Sequence, residues 1–152
     1  MKKFLAQAII LMLSLSLVGR AGAGGELVKF PEKYAEGVPY ATVNRGNIKE
    51  EIFTSRAAID AVKKGQPIPS GTVITLVDYR DGKLFRYVVM EKRTGWGAEY
   101  PPEKRNGEWE YQAFKADKSV NDKEDLNRCF SCHKKEERQD FVYTFDQMKS
   151  EK

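Results

Sequence analysis

The chain begins with an almost unbroken apolar run, Phe4 to Val18, preceded by Met1-Lys2-Lys3 and followed by Ala21-Gly22-Ala23. A basic start, an apolar stretch and small residues before a cleavage point make a secretory signal, so residues 1–23 are expected to be removed on export to the periplasm. A retained membrane anchor is the alternative reading, but the run is shorter than the ~20 residues a spanning helix needs. Residues 24–152 then form one domain. It opens with Phe30-Pro31-Glu32-Lys33-Tyr34, an irregular lead-in with one short helical turn, because proline disfavours helix at the residue before it.

Farther along, Ala58, Ile59, Ala61 and Val62 make an apolar stripe between Thr54-Ser55, either of which can cap the start, and Lys63-Lys64-Gly65, which suits a helix end. Pro67 and Pro69 stop that helix. Thr72 to Tyr79 is a β-branched, apolar strand, Asp81-Gly82 is a hairpin turn, and Leu84 to Met90 is the returning strand. Glu108 to Phe114 alternates polar and apolar positions, as a strand with one buried face does. Between these strands Thr94 to Gly107 is a Gly/Pro loop holding Trp96, and Asn121 to Leu126 can open a short helix leading into the cysteines. The pattern predicts an α+β domain, mainly antiparallel β, with at least three strands and a few short helices.

Charge changes this picture mainly by what it excludes. The full chain carries +4, but the signal accounts for Lys2, Lys3 and Arg20 and no acidic residue, which leaves +1 on the exported domain. A nearly neutral domain lacks the basic footprint of a nucleic-acid binder.

Both cysteines and the single histidine fall in Cys129-Phe130-Ser131-Cys132-His133. This C-x-x-C-H spacing is the attachment signature of c-type haem: two thiols for the porphyrin vinyl groups and an adjacent imidazole, His133, for the iron. One covalently attached haem c is therefore expected, enclosed by the sheet. A zinc site would need a fourth ligand from a carboxylate or another subunit. A thioredoxin-like pair would sit at a helix start in a βαβ context, and a plain structural disulfide is the remaining alternative.

Only 19 residues follow His133, unlike the common His/Met electron carriers with an N-terminal motif, and the upstream strands disfavour a four-helix bundle. With no second histidine, the sixth iron position falls to Met90, Met148, a lysine, a carboxylate, water or nothing. An open distal site is the favoured reading. Phe85, Tyr87, Trp96, Trp109 and Tyr111 are the aromatic candidates for the pocket wall, each of which could equally be ordinary core.

The sequence resembles the cytochrome P-460 / cytochrome c′-beta family. The resemblance is carried by Phe30-Pro31-Glu32 with Tyr34, Gly46-Asn47, the helix Ala57 to Gly65, Pro69-Ser70-Gly71-Thr72-Val73, Gly95-Trp96-Gly97, Trp109 to Phe114, the haem motif, and Asp140-Phe141-Val142-Tyr143-Thr144. It implies a mainly antiparallel β domain, usually a homodimer, with histidine on one side of the haem and an open pocket on the other. It also implies that some members oxidise hydroxylamine through a lysine cross-linked to the porphyrin; the aligned position here is Leu76, which cannot form that bond. Lys83 or Lys92 would supply the amine if the register were shifted. Glu124 is the candidate distal acid/base by the same resemblance, against its reading as a solvated helical carboxylate beside Asp122 and Asp125.

The leading expectation is an exported monohaem cytochrome that binds nitric oxide or a related small nitrogen species and exchanges electrons with a redox partner protein. The alternatives are an oxidoreductase acting on hydroxylamine or nitric oxide, and a simple electron carrier with a methionine on iron.

Overall fold

The structure, a computed structural model, describes residues 27–152, with the side chain of Glu99 excepted. The expected signal lies outside the described residues, and no described helix is long and apolar enough to cross a membrane.

Five antiparallel strands form a meander in sequence order: β1 (Val38–Arg45), β2 (Ile48–Thr54), β3 (Val73–Arg80), β4 (Lys83–Lys92) and β5 (Trp109–Lys115). The last three are those the alternation predicts. β1 and β2 were not, because Pro39 interrupts the first and Lys49-Glu50-Glu51 charge the second, which hides their half-buried pattern. They are joined by Gly46-Asn47, with Gly46 at φ +59°. The β3–β4 turn has Asp81 at φ +50° and Gly82 at φ +73°, the two positive values that match the twist of a tight hairpin.

α1 (Arg56–Lys63) connects β2 to β3. Ser55 caps it, its hydroxyl accepting from the Ala58 amide, while Thr54 remains in the sheet and donates to the Val73 carbonyl at 2.8 Å. α2 (Leu126–His133) starts at the Asp125 cap and contains both cysteines, so the helix expected to lead into the motif is displaced toward the C-terminus and carries it. α3 (Phe145–Ser150) buries Met148 completely, although the segment that carries it is rich in charged and polar residues.

Alternation along the strands gives the sheet two apolar faces. On one, Ile52, Ile74, Met90, Trp109 and Tyr111 pack with α1, Phe141, Val142 and Met148. On the other, Val77, Tyr87, Val89 and Phe114 pack with Val28, and with Phe30 and Tyr34 from the lead-in. The N-terminal aromatics thus close one face, leaving the C-terminal helices to cover the other.

The Gly/Pro loop between β4 and β5 makes two short 3-10 turns, Trp96–Glu99 and Pro102–Lys104. Within it Gly97 passes so close to Gly107 that a Cβ would lie 2.1 Å from the Gly107 carbonyl oxygen. Gly97→Ala is expected to destabilise the domain by roughly 1–3 kcal/mol, the usual cost of overpacking, measurable by urea denaturation. An unchanged midpoint would contradict this close approach.

Candidate haem site

Cys129, Cys132 and His133 stand at i, i+3 and i+4 of α2, the spacing that gathers side chains on one helical face. Both cysteines are free thiols, Cys129 half-buried and Cys132 exposed. Burial raises the Cys129 thiol pKa; Glu124 adds to the rise and Arg86 opposes it.

Cys132 and His133 line a cavity of about 490 Å³ between the sheet and the C-terminal segment. Its apolar wall includes Ile52, Ile74, Leu76, Val88 and Met90 from the strands, with Val142 opposite, and Tyr111 and Tyr143 as its aromatics. The volume lies within the ~300–1,000 Å³ range of cofactor pockets, and the lining has the apolar character such pockets share.

The clearest local device is a backbone turn. Asp140 and Phe141 both have positive φ, +51° and +62°, a conformation costing non-glycine residues on the order of 1–2 kcal/mol each. The turn points the Phe141 carbonyl at His133, whose Nδ1 lies 2.7 Å from it. A carbonyl only accepts, so Nδ1 carries the proton and Nε2 keeps its lone pair, the form in which imidazole binds a metal. Desolvation by burial lowers the His133 pKa and the carbonyl bond opposes it, so burial favours the neutral ring.

Several contacts hold this conformation in place. The Phe141 amide donates to the Glu136 carbonyl at 2.8 Å, Lys92 binds Asp140 at 2.6 Å, and the Trp109 indole N–H reaches Asp140 at 3.4 Å. Asn106, fully buried, donates to the Tyr111 hydroxyl at 2.8 Å and to the Phe130 carbonyl at 2.9 Å, tying the Gly/Pro loop to the motif helix. Tyr143 donates to the Cys132 carbonyl at 3.1 Å, and its ring meets the His133 ring edge-on at 5.4 Å. Its phenol is pushed up to about 12, first by its hydrogen bond with Cys132.

These features fit a haem: an apolar chamber, two thiols and an imidazole on one helix, and a ring tautomer with a free nitrogen. Among the described residues no three of His, Cys, Asp and Glu gather into a set able to hold a metal ion, so a zinc centre has no complete ligand set there.

The other sequence candidates are distributed more widely. Leu76 lines the cavity, whereas Lys83 and Lys92 do not line it. Met90 also lines it, but Met148 is in the core beside it. Glu124 does not line it: its carboxylate is bound by Arg86, which also donates to the buried Asp78 at 3.0 Å.

Of the five aromatic candidates only Tyr111 reaches the chamber. Trp109 is core beside it, Tyr87 and Trp96 belong to the opposite face of the sheet, and Phe85 is half-exposed under the Arg80 guanidinium. Tyr143, Arg45 and Glu50 are lining residues that sequence reasoning did not single out. For Tyr143 a signal existed in its place ten residues after the motif histidine; for the other two it lay in strands whose pattern was masked.

The sequence matches the Cytochrome P460 family model over residues 31–144, well over half of the chain and inclusive of every element from the lead-in to the Asp140–Thr144 segment. No curated protein matches it.

Proposed function

The chain belongs to the cytochrome P460 family and is therefore a haem protein, and on that premise we propose that it is an exported monohaem c-type cytochrome that binds nitric oxide or a related small nitrogen species at an open iron position. Cys129 and Cys132 would carry the haem through thioether bonds and His133 would ligate the iron through Nε2. The observation that carries this reading is the His133 Nδ1 contact with the Phe141 carbonyl, which reserves the other nitrogen for a metal. When bound, the haem supplies an iron able to take a diatomic ligand and to change oxidation state.

The chain's own residues orient the imidazole through the Phe141 carbonyl and give the chamber an apolar wall of Ile52, Leu76, Val88 and Val142. We take the protein to be periplasmic, homodimeric and served by a separate redox partner. Leu76 in the wall speaks for the branch without a porphyrin cross-link, and against hydroxylamine oxidation by the cross-linked chemistry. Met90 in the same wall favours a second reading, an electron carrier with its sulfur as sixth ligand.

One spectroscopic series separates these readings. The full chain, matured with a cytochrome c assembly system, is expected to give a high-spin ferrous haem c spectrum that changes on adding nitric oxide, and Met90→Leu is expected to leave that spectrum unchanged. A low-spin spectrum indifferent to the gas, converted to high-spin by Met90→Leu, would replace gas binding with electron transfer. A strongly red-shifted Soret band would mean a cross-linked haem and restore the oxidase.

A further inference from the structure

The cavity that holds Cys132 and His133 has a charged end. Among its lining residues Arg45 is the single fixed cation and Glu50 the single carboxylate, and the two are paired at 2.6 Å. Arg45 is the last residue of β1; Glu50 lies on β2, opposite Val43. α2 packs on β5, at the other edge of the sheet. The chamber is therefore lined by a thiol and an imidazole from the helix that packs on one edge strand and by a guanidinium from the other edge strand.

That polarity coincides with the asymmetry of haem itself. Its two vinyl groups, the ones thiols attack, lie on the edge of the porphyrin away from its two propionates. A haem tethered at Cys129 and Cys132 would turn its carboxylates away from those thiols, and Arg45 is the one fixed cation lining the chamber that could meet them. A carboxylate enclosed by apolar walls is costly unless a cation meets it, and guanidinium is suited to meet it with paired N–H donors. Arg45 is 62% exposed in its side chain, whereas Glu50 is 14% exposed, so the guanidinium stands toward solvent at the rim with its partner carboxylate behind it. Five N–H donors allow Arg45 to keep Glu50 and bind a second carboxylate.

We propose that Arg45, positioned by Glu50, is the binding site for a haem propionate and thereby sets both the seating of the haem and part of its reduction potential. The proposal rests on the haem c reading above, but its failure is separable from the failure of that reading. Loss of a positive charge beside the propionate disfavours the ferrous state, which carries one positive charge fewer than the ferric state. Arg45→Ala should therefore lower the midpoint potential, and Glu50→Gln should raise it.

The test uses the matured full chain and its Arg45→Ala, Arg45→Lys and Glu50→Gln variants, with Lys33→Ala as a control for loss of an exposed surface charge. Low-frequency resonance Raman spectra report the propionate bending band, and redox titration reports the midpoint. The expected result is a shifted band and lowered midpoint in Arg45→Ala, an intermediate response in Arg45→Lys, a raised midpoint in Glu50→Gln and no change in Lys33→Ala. An unmoved propionate band in Arg45→Ala, with covalent haem retained, overturns the assignment. So does an unmoved band accompanied by weaker azide binding to ferric iron, which would place Arg45 on the ligand side of the haem. Absence of covalent haem from the unsubstituted chain would instead remove the underlying function.

Discussion

Replacing Cys129 and Cys132 together by serine is expected to abolish covalent haem: the denatured protein should lose its haem stain, while far-ultraviolet circular dichroism keeps the signature of the sheet. The thiols are the only two in the chain, and they share a helical face with His133. Neither is part of the fully buried core, and each can be replaced by a smaller polar group without opening a large void. The substitution thus separates attachment from folding. Either single variant should keep one thioether and a fraction of the haem. Haem that survives denaturation in the double variant would require another attachment point and dismantle the proposed site. Loss of the sheet along with the haem would show that the fold depends on the cofactor.

Trp109→Ala carries the largest expected cost in stability, about 3–5 kcal/mol, by the usual price of truncating a buried aromatic. The indole is only 1% exposed, with Lys92 over its ring and its N–H directed at Asp140. Against a typical domain stability of roughly 5–15 kcal/mol, such a loss is a large fraction. The effect should also reach the haem site, because Asp140 begins the strained turn whose next carbonyl orients His133. Trp109→Phe separates the two contributions: it keeps most of the apolar contact and loses the 3.4 Å bond to Asp140, so a cost under ~1.5 kcal/mol is expected. Urea titrations of both variants provide the measurement. Equal costs for phenylalanine and alanine would assign the role of Trp109 to the indole N–H.

How much of this could be read beforehand depended on where the deciding information lies. The motif residues were legible because their chemistry and spacing are local. The central hairpin was legible because Asp81-Gly82 separates two strongly apolar strands. β1 and β2 were not, since their stability comes from pairing with neighbours: Ile52 sits beside Leu76 across one ladder and Ala41 across the other, and charged residues between them obscure the buried positions. The burial of Met148 was hidden for the same reason. The six-residue α3 is short and polar by sequence, yet packing against the sheet and α1 removes its methionine wholly from solvent.

The site shows the same division. His133 announces itself, but the carbonyl that fixes its tautomer belongs to Phe141, a residue whose side chain gives no hint of a polar task. Its role comes from a positive φ, which a bulky residue adopts only when its surroundings compel it. Glu124 looked free beside two other acids; the fold instead places Arg86 against it from β4. Arg45 and Glu50 became visible only once the hairpin brought both onto one wall.

Among the described residues, the meander leaves β1 with one side that no other strand pairs. That side is poorly shaped for recruiting another chain. Pro39 has no amide hydrogen to offer, the register shifts between Pro39 and Ala41, and the strand ends in Asn44 and Arg45. Proline, an irregular ladder and charge are each devices that keep an open strand from templating aggregation. The same strand that contributes Arg45 to the cavity thus also protects the sheet from uncontrolled growth at its margin.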